Sequence, residues 1–402
     1  MKYAILVGDG MGDLPLVELG GKTPLQAAKT PAMDFVAGHG ELCLLTTVPE
    51  GYPPGSDVAN LSLLGYLPSE CYSGRAPLEA ASLGVDLGED ETAFRCNLVT
   101  LRFAEDGRVF MEDYSSGHIS SPEARVLIEG IQEVAGSERL RFYPGVSYRH
   151  LLVHQGDIPG LVTVPPHDHT GREVTEFWQR YQAHPHLKAA LASAVNHLAD
   201  HPLNLARRQQ GKNPANAIWL WGEGRAPAMR TLGEQYGITG ALISAVDLLK
   251  GIGVYAGLEI IDVPGATGYL DTNYAGKAAA ALEALRNRDF VFVHVEAPDE
   301  TAHQGQLADK LRAIEDFDRK IVQPVLDGLA SSGEEFRLVV AMDHFTPLAI
   351  RTHSSQPVPV AIYDSRRSAP GSGLPYTEES AARTGMLLAD GREFLRRVLE
   401  RN

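Results

Sequence analysis

The chain has 402 residues, 44% of them hydrophobic and 22% charged, with a formal net charge of −15. This composition supplies a sizeable core and excludes disordered, collagen-like and disulfide-scaffold chains, and the length suggests two domains. Fifty-one acidic against thirty-six basic residues argue against a protein that coats nucleic acid or an anionic membrane, although a few local charges can still hold a small anion.

In chain order, residues 3–7 form a short apolar run that reads as a buried first strand. The run is too short for a secretory h-region, and Gly8-Asp9-Gly10 ends it without a cleavage-like site. Next, Pro53-Pro54-Gly55 leads into Ser56 and an apolar helix over 58–64, where a serine is an N-cap by default. Cys43, Cys71 and Cys96 are odd in number and form no C-x-x-C pair, which predicts reduced thiols in a cytoplasmic protein. No segment approaches the roughly 20 apolar residues of a membrane helix, so no membrane partner is expected. From about Glu89 to Gln210 short alternating runs (96–103, 151–155) sit among many Gly, Pro and His residues, an α+β pattern. The tract 184–210 reads as polar helix, and 207–214 as a linker.

Beyond it, apolar runs at 217–221, 258–263, 290–295, 338–342 and 358–363 predict strands. Helical patterns lie between them at 275–285 and 307–329; the second puts Leu311, Ile314 and Phe317 on one face before Pro324 interrupts it. Strands alternating with helices predict a doubly wound α/β sheet. The first strand needs the C-terminal strands as neighbours. The expected division is therefore a core of 1–88 with 212–402, interrupted by a smaller α+β domain over 89–211.

Ligands of open α/β sheets sit at the carboxyl ends of the strands. Asp9 follows the first strand, Asp299 and His303 follow 290–295, and Asp343-His344 follow 338–342, with His353 shortly after. The i, i+4 spacing of Asp299 and His303 puts both on one face of a helical turn. Asp343 and His344, being adjacent, point to opposite sides. They can serve two neighbouring metals, or one can ligate while the other supports. Mixed oxygen and nitrogen donors favour Mn²⁺, Zn²⁺ or Mg²⁺ over a soft thiolate site. Two divalent ions suit phosphoryl chemistry, and Ser56 at a helix start is a candidate nucleophile where an anion is also welcome. The cluster His167-Asp168-His169 reads as a polar loop near substrate rather than a third metal site.

GDGMGD, PPGSDVANLSLLGY with SGRAPLEAASLGV, APDETAH and MDHFTP…THSSQPVPV together resemble the cofactor-independent phosphoglycerate mutases of the archaeal-type branch, within the alkaline phosphatase superfamily. The resemblance covers most of the chain and implies an alkaline phosphatase-like fold with an inserted substrate-binding or lid domain. It implies an isomerase of glycolysis acting on a small phosphorylated substrate through phospho-Ser56. It further implies one metal on Asp9, Ser56, Asp343 and His344 and another on Asp299, His303 and His353, with Mn²⁺ first and Zn²⁺ or Mg²⁺ as alternatives. His118 looks like the histidine that meets the transferring phosphoryl group. Arg149, Arg172 and Arg225 are candidate carboxylate or phosphate clamps, and Lys277 a weaker one. Part of the chain also resembles a bacterial subgroup proposed as homoserine kinases. Gly21-Lys22-Thr23 mimics the end of a P-loop, but residue 16 is Leu where that motif needs Gly, so no nucleotide site is legible. A non-catalytic metal-binding protein is the third reading.

Overall fold

In the computed structural model, which describes residues 1–399, the apolar run at the N-terminus is the strand Lys2–Gly8, buried from Tyr3 onward. A strand apolar on both faces needs neighbours on both sides. Phe290–Val295 and Phe336–Ala341 flank it, both parallel to it. They belong to an eight-stranded sheet with the order Leu387–Leu388, Glu41–Leu45, Val358–Asp364, Phe336–Ala341, Lys2–Gly8, Phe290–Val295, Gly240–Ile243 and Glu259–Ile260. Val358–Asp364 runs antiparallel to both of its neighbours, and the rest of the sheet is parallel. Helices Pro31–His39 and Tyr274–Asn287 are among those packed on it.

This sheet belongs to a unit built from residues 1–72 and from 228 onward; residues 73–227 form a second unit. The second unit is centred on the long strand Glu91–Phe103, which pairs antiparallel with Arg149–Gln155, Ala217–Gly224 and Val109–Asp113. Helices Ser121–Ala135 and Pro185–Ala199 close its core through Leu127, Ile128, Ile131, Leu191, Ala194 and Leu198.

Three sequence expectations change here. The run 217–221 is a strand, but it joins the second unit's sheet, so the junctions fall at 72/73 and 227/228 rather than at 88/89 and 211/212. The stretch 207–214 is no linker. The buried Arg207 guanidinium donates to the Ser116 carbonyl at 2.5 Å, the Asn213 carbonyl at 3.0 Å and Glu123 at 3.1 Å, which fastens it into the second unit. The run 258–263 shrinks to the edge pair Glu259–Ile260, since Glu259 is exposed and Pro264 lacks a donor. The helical pattern at 307–329 is realised as Leu307–Phe317 and Gln323–Ser332 joined by the π turn Asp318–Val322. Pro324 has no N–H to continue the α ladder, so the helix widens by a residue before it restarts.

Candidate active site

The site follows from strand register. Gly8 pairs with Val295 and Val7 with Ala341, so the next residues along three parallel strands bring Asp9, Glu296 and Asp343 level at one sheet edge. Side chains alternate along a strand, and His294 therefore shares a face with Glu296. Helix Ala297–His303 begins immediately afterwards and carries Asp299 in its first turn and His303 at its end.

Close approach of these loops requires glycine at position 10. Its φ is +60°, and a Cβ there would lie 2.5 Å from Asp299 Oδ1 and 2.6 Å from Thr346 Oγ1. Its amide donates to Asp343 Oδ1 at 3.1 Å.

Two groups of side chains present donor atoms suited to a cation: Asp299, His344 and His353; and Asp9, His294 and Asp343. At the first, His353 Nδ1–H donates to the Pro54 carbonyl at 2.9 Å, and His303, outside the group but beside Asp299, donates its Nδ1–H to the Arg351 carbonyl at 2.9 Å. Each imidazole therefore turns its Nε2 toward Asp299, the orientation of a metal-ligating histidine. The two Nε2 atoms lie 3.0 Å apart, at 3.1 Å and 3.4 Å from the Asp299 carboxylate. The hydrogen bond to Asp299 pushes His303 up to about 9 against the pull of burial, the mark of a pocket that draws in positive charge. Burial alone would raise Asp299, but hydrogen bonds from His303 and His353 hold it well below the usual carboxylate range.

In the second group burial and the neighbouring carboxylates of Asp343 and Asp299 push Asp9 well above its ordinary range. Its Oδ1 is buried without a hydrogen-bond partner, as are both ring nitrogens of His294. Unpartnered buried acceptors among crowded carboxylates are costly unless a cation satisfies them, so these residues fit a pair of divalent ions. His344 reaches both groups: its Nε2 lies 3.5 Å from Asp9 Oδ1 and 3.5 Å from Asp343 Oδ2.

Ser56 stands one residue inside its helix, Ser56–Leu63, with Gly55 at the cap position. The expected N-cap role is thus not realised: the hydroxyl points to His344 Nε2 at 3.1 Å. The side chain is half-buried and so reachable from solvent. Asn60, one turn on, donates to Asp343 Oδ2 at 2.9 Å and to the Ser56 carbonyl at 2.8 Å, tying the serine turn to the carboxylate edge.

The candidate substrate contacts separate. Lys277 is fully buried in the first unit, where its ammonium donates to Glu296 at 2.7 Å and to the His294 carbonyl at 2.9 Å; it holds the site's wall and is not a free clamp. His118, Arg149, Arg172 and Arg225 belong to the second unit. His118, with φ +49°, sets its exposed ring edge-on against Tyr114 and Tyr148. The Arg149 guanidinium lies 5.8 Å from the Tyr148 ring, and Arg172 is exposed. Arg225 is engaged with Asp157 at 2.7 Å, a partly exposed ion pair. His167 packs against Trp221, and the metal-competent groups include none of His167, Asp168 or His169. His294, Glu296 and Arg95 were not singled out from sequence. Arg95 is buried, with its guanidinium 3.9 Å above the Trp221 ring and 2.9 Å from Glu79. A histidine inside the otherwise apolar run Phe-Val-Phe-Val-His-Val, two residues before a glutamate, was the available signal.

The family model for 2,3-bisphosphoglycerate-independent phosphoglycerate mutase matches residues 37–204. A mutase of that name from Methanosarcina acetivorans is 54% identical over 389 residues, 96% of each chain. Its counterpart from Methanosarcina barkeri is 53% identical over 98% of each chain. Among solved structures, a protein of Pyrococcus horikoshii superposes with a TM-score of 0.82 at 29% identity, covering 100% of this chain and 98% of its own. The cofactor-independent phosphoglycerate mutase of Thermoplasma acidophilum superposes at 0.67 with 26% identity, covering 98% of each.

Proposed function

The chain belongs to the 2,3-bisphosphoglycerate-independent phosphoglycerate mutases, and we propose that it interconverts 3- and 2-phosphoglycerate through a phosphoryl group carried on Ser56. The observation that carries this reading is the Ser56 hydroxyl: it caps no helix and faces His344 at 3.1 Å amid converging carboxylates and imidazoles.

Asp9, Ser56, Asp343 and His344 would hold one divalent ion and Asp299, His303 and His353 the other, Mn²⁺ first among the candidates. When bound, such ions favour the serine alkoxide and neutralise the phosphoryl oxygens. Ser56 gives up its hydroxyl proton and its Oγ forms a bond to phosphorus as the bond to the glycerate 3-oxygen breaks, that oxygen taking up one proton in exchange. Glycerate reorients, its 2-hydroxyl gives up its proton and attacks phospho-Ser56, and Oγ leaves with its electron pair and regains a proton. The first turn of helix Ser56–Leu63 offers amide N–H groups that favour an anion at Ser56. Thr346 donates to Asp299 at 2.5 Å and holds that carboxylate in place.

Water must be kept from phospho-Ser56, or the mutase becomes a phosphatase. We assign that role and the binding of the glycerate carboxylate to the second unit, for which His118, Arg149 and Arg172 supply the chemistry. Arg225 can join them only by exchanging its Asp157 partner. Three unpaired, buried thiols suit the reducing cytoplasm, where this substrate is at hand. No helix among the described residues is long and apolar enough to cross a membrane.

The full chain with Mn²⁺ and 3-phosphoglycerate should form 2-phosphoglycerate with no bisphosphoglycerate added or formed. ATP-dependent phosphorylation of homoserine in place of that product would overturn the assignment.

A further inference from the structure

The mechanism above does not use the imidazole of His294, which stands at the same carboxylate edge. It is fully buried, and neither ring nitrogen has a hydrogen-bond partner. Yet carboxylates surround it. Nε2 lies 3.5 Å from Asp9 Oδ2 and 3.7 Å from Asp343 Oδ2, and Nδ1 lies 3.4 Å from Glu296 Oε1.

We infer that His294 is a further ligand of the cation held by Asp9 and Asp343, and that Glu296 and Lys277 fix which ring nitrogen faces it. The inference rests on the two-cation reading given above. Its support is geometric. With Ser56 and His344 the ion would have five donors, and donor atoms bonded at about 2.1 Å to such an ion lie about 3.0 to 3.6 Å from their neighbours. The spacings of His294 Nε2 to Asp9 and Asp343, 3.5 Å and 3.7 Å, are near that range and too long for hydrogen bonds. His344 Nε2 approaches Asp9 Oδ1 at the same 3.5 Å, so two imidazoles flank the carboxylate edge.

The other side of the ring is anchored. Glu296 Oε1 accepts from the Ser244 hydroxyl at 2.8 Å and the Ala245 amide at 2.8 Å, while Oε2 accepts from Lys277 at 2.7 Å. Lys277 also donates to the His294 carbonyl at 2.9 Å, which locks backbone and carboxylate together. A fixed carboxylate facing Nδ1 favours the Nδ1–H tautomer and leaves the Nε2 lone pair aimed between Asp9 and Asp343. The order of carboxylate, imidazole and cation site is that of the relay that orients metal-ligating histidines, here set by charge across 3.4 Å rather than by a formed hydrogen bond. Glu296 and Lys277 touch no reacting atom and act as positioning residues. A second imidazole nitrogen in this set shifts its preference toward Mn²⁺ or Zn²⁺ over Mg²⁺, which favours all-oxygen surroundings.

The test uses the full chain stripped with chelator and titrated with Mn²⁺, free ion being read by paramagnetic resonance, with parallel Co²⁺ loading read by visible absorption. The parent should bind two ions. His294→Ala should weaken one of them about 10- to 100-fold, leave the other unchanged, and alter the Co²⁺ bands. Glu296→Gln should act in the same direction more weakly. His294→Gln serves if the alanine variant does not fold, folding being checked by thermal unfolding. A folded His294 variant with unchanged Mn²⁺ affinities and unchanged Co²⁺ bands overturns the inference, even if its thermal stability falls. A parent that binds neither ion overturns the two-cation reading itself.

Discussion

Hydrogen-bonding roles of single histidines divide this molecule's chemistry. His303 and His353 donate Nδ1–H to backbone carbonyls and turn Nε2 to the site. His150 does the reverse: its Nδ1 accepts the Gly145 amide at 3.0 Å inside the second unit. Burial, with a further push from Arg125, lowers His150 from 6.5 to about 3. Unfolded chain takes up a proton near 6.5 that the folded state refuses. His150's contribution is therefore complete above that pH and is lost as pH falls toward about 3, at about 1.4 kcal/mol per pH unit. His150→Gln should flatten the decline of the urea midpoint below pH 6.5. A decline as steep as the parent's would show that other groups govern acid sensitivity.

At the scale of elements, the strand ends and the helix behind them do the positioning. Lys310, buried on helix Leu307–Phe317, donates to Asp13 at 2.8 Å, the Gly12 carbonyl at 3.2 Å and the Thr346 carbonyl at 2.9 Å. It thereby ties the loop after the first strand to the loop that follows His344. Lys310→Met would strand the buried Asp13 carboxylate, at a cost of about 3–5 kcal/mol in chemical denaturation. The companion Asp13→Leu should recover part of the loss; no recovery would mean that the backbone contacts, not the ion pair, carry it.

Much of this level was legible in the sequence. Both strands that flank the first one were plain apolar runs, and the Asp299–His303 spacing placed two groups on one helical face. His294 was hidden because a lone histidine in a buried strand reads as a satisfied core residue, and only register brings Asp9 and Asp343 to it. The short strands Glu41–Leu45 and Gly240–Ile243 were missed because so few residues carry no periodic signal. Ser56 was singled out as a candidate, but its hydroxyl's orientation depends on His344, which lies 288 positions away in the chain.

For the whole molecule, the chain's excess of acid is partly invested in one cation-demanding edge. Asp9, Glu296, Asp299 and Asp343 are all buried in a single unit, and the two ions proposed there would make an acidic protein hospitable to a phosphate ester. The unit junctions escaped the sequence reading because Ser73-Gly74-Arg75 and Arg225-Ala226-Pro227 have no linker composition, whereas 207–214 does. An ion at 100 times its dissociation constant stabilises its host by about 2.7 kcal/mol. Chelation should accordingly lower hydrogen-exchange protection in the strands Lys2–Gly8, Phe290–Val295 and Phe336–Ala341 while sparing Glu91–Phe103. Equal losses in both units would contradict a site confined to the first.

In the proposed reaction phosphorus passes through Ser56. Rapid quenching of the Mn²⁺-loaded chain during turnover of 3-phosphoglycerate labelled in its phosphoryl group, followed by peptide mass analysis, measures this directly. Label is expected on the peptide containing Ser56, formed and consumed at rates compatible with turnover, with no turnover in Ser56→Ala. Turnover without label on Ser56, or sustained turnover in the alanine variant, would contradict passage through Ser56.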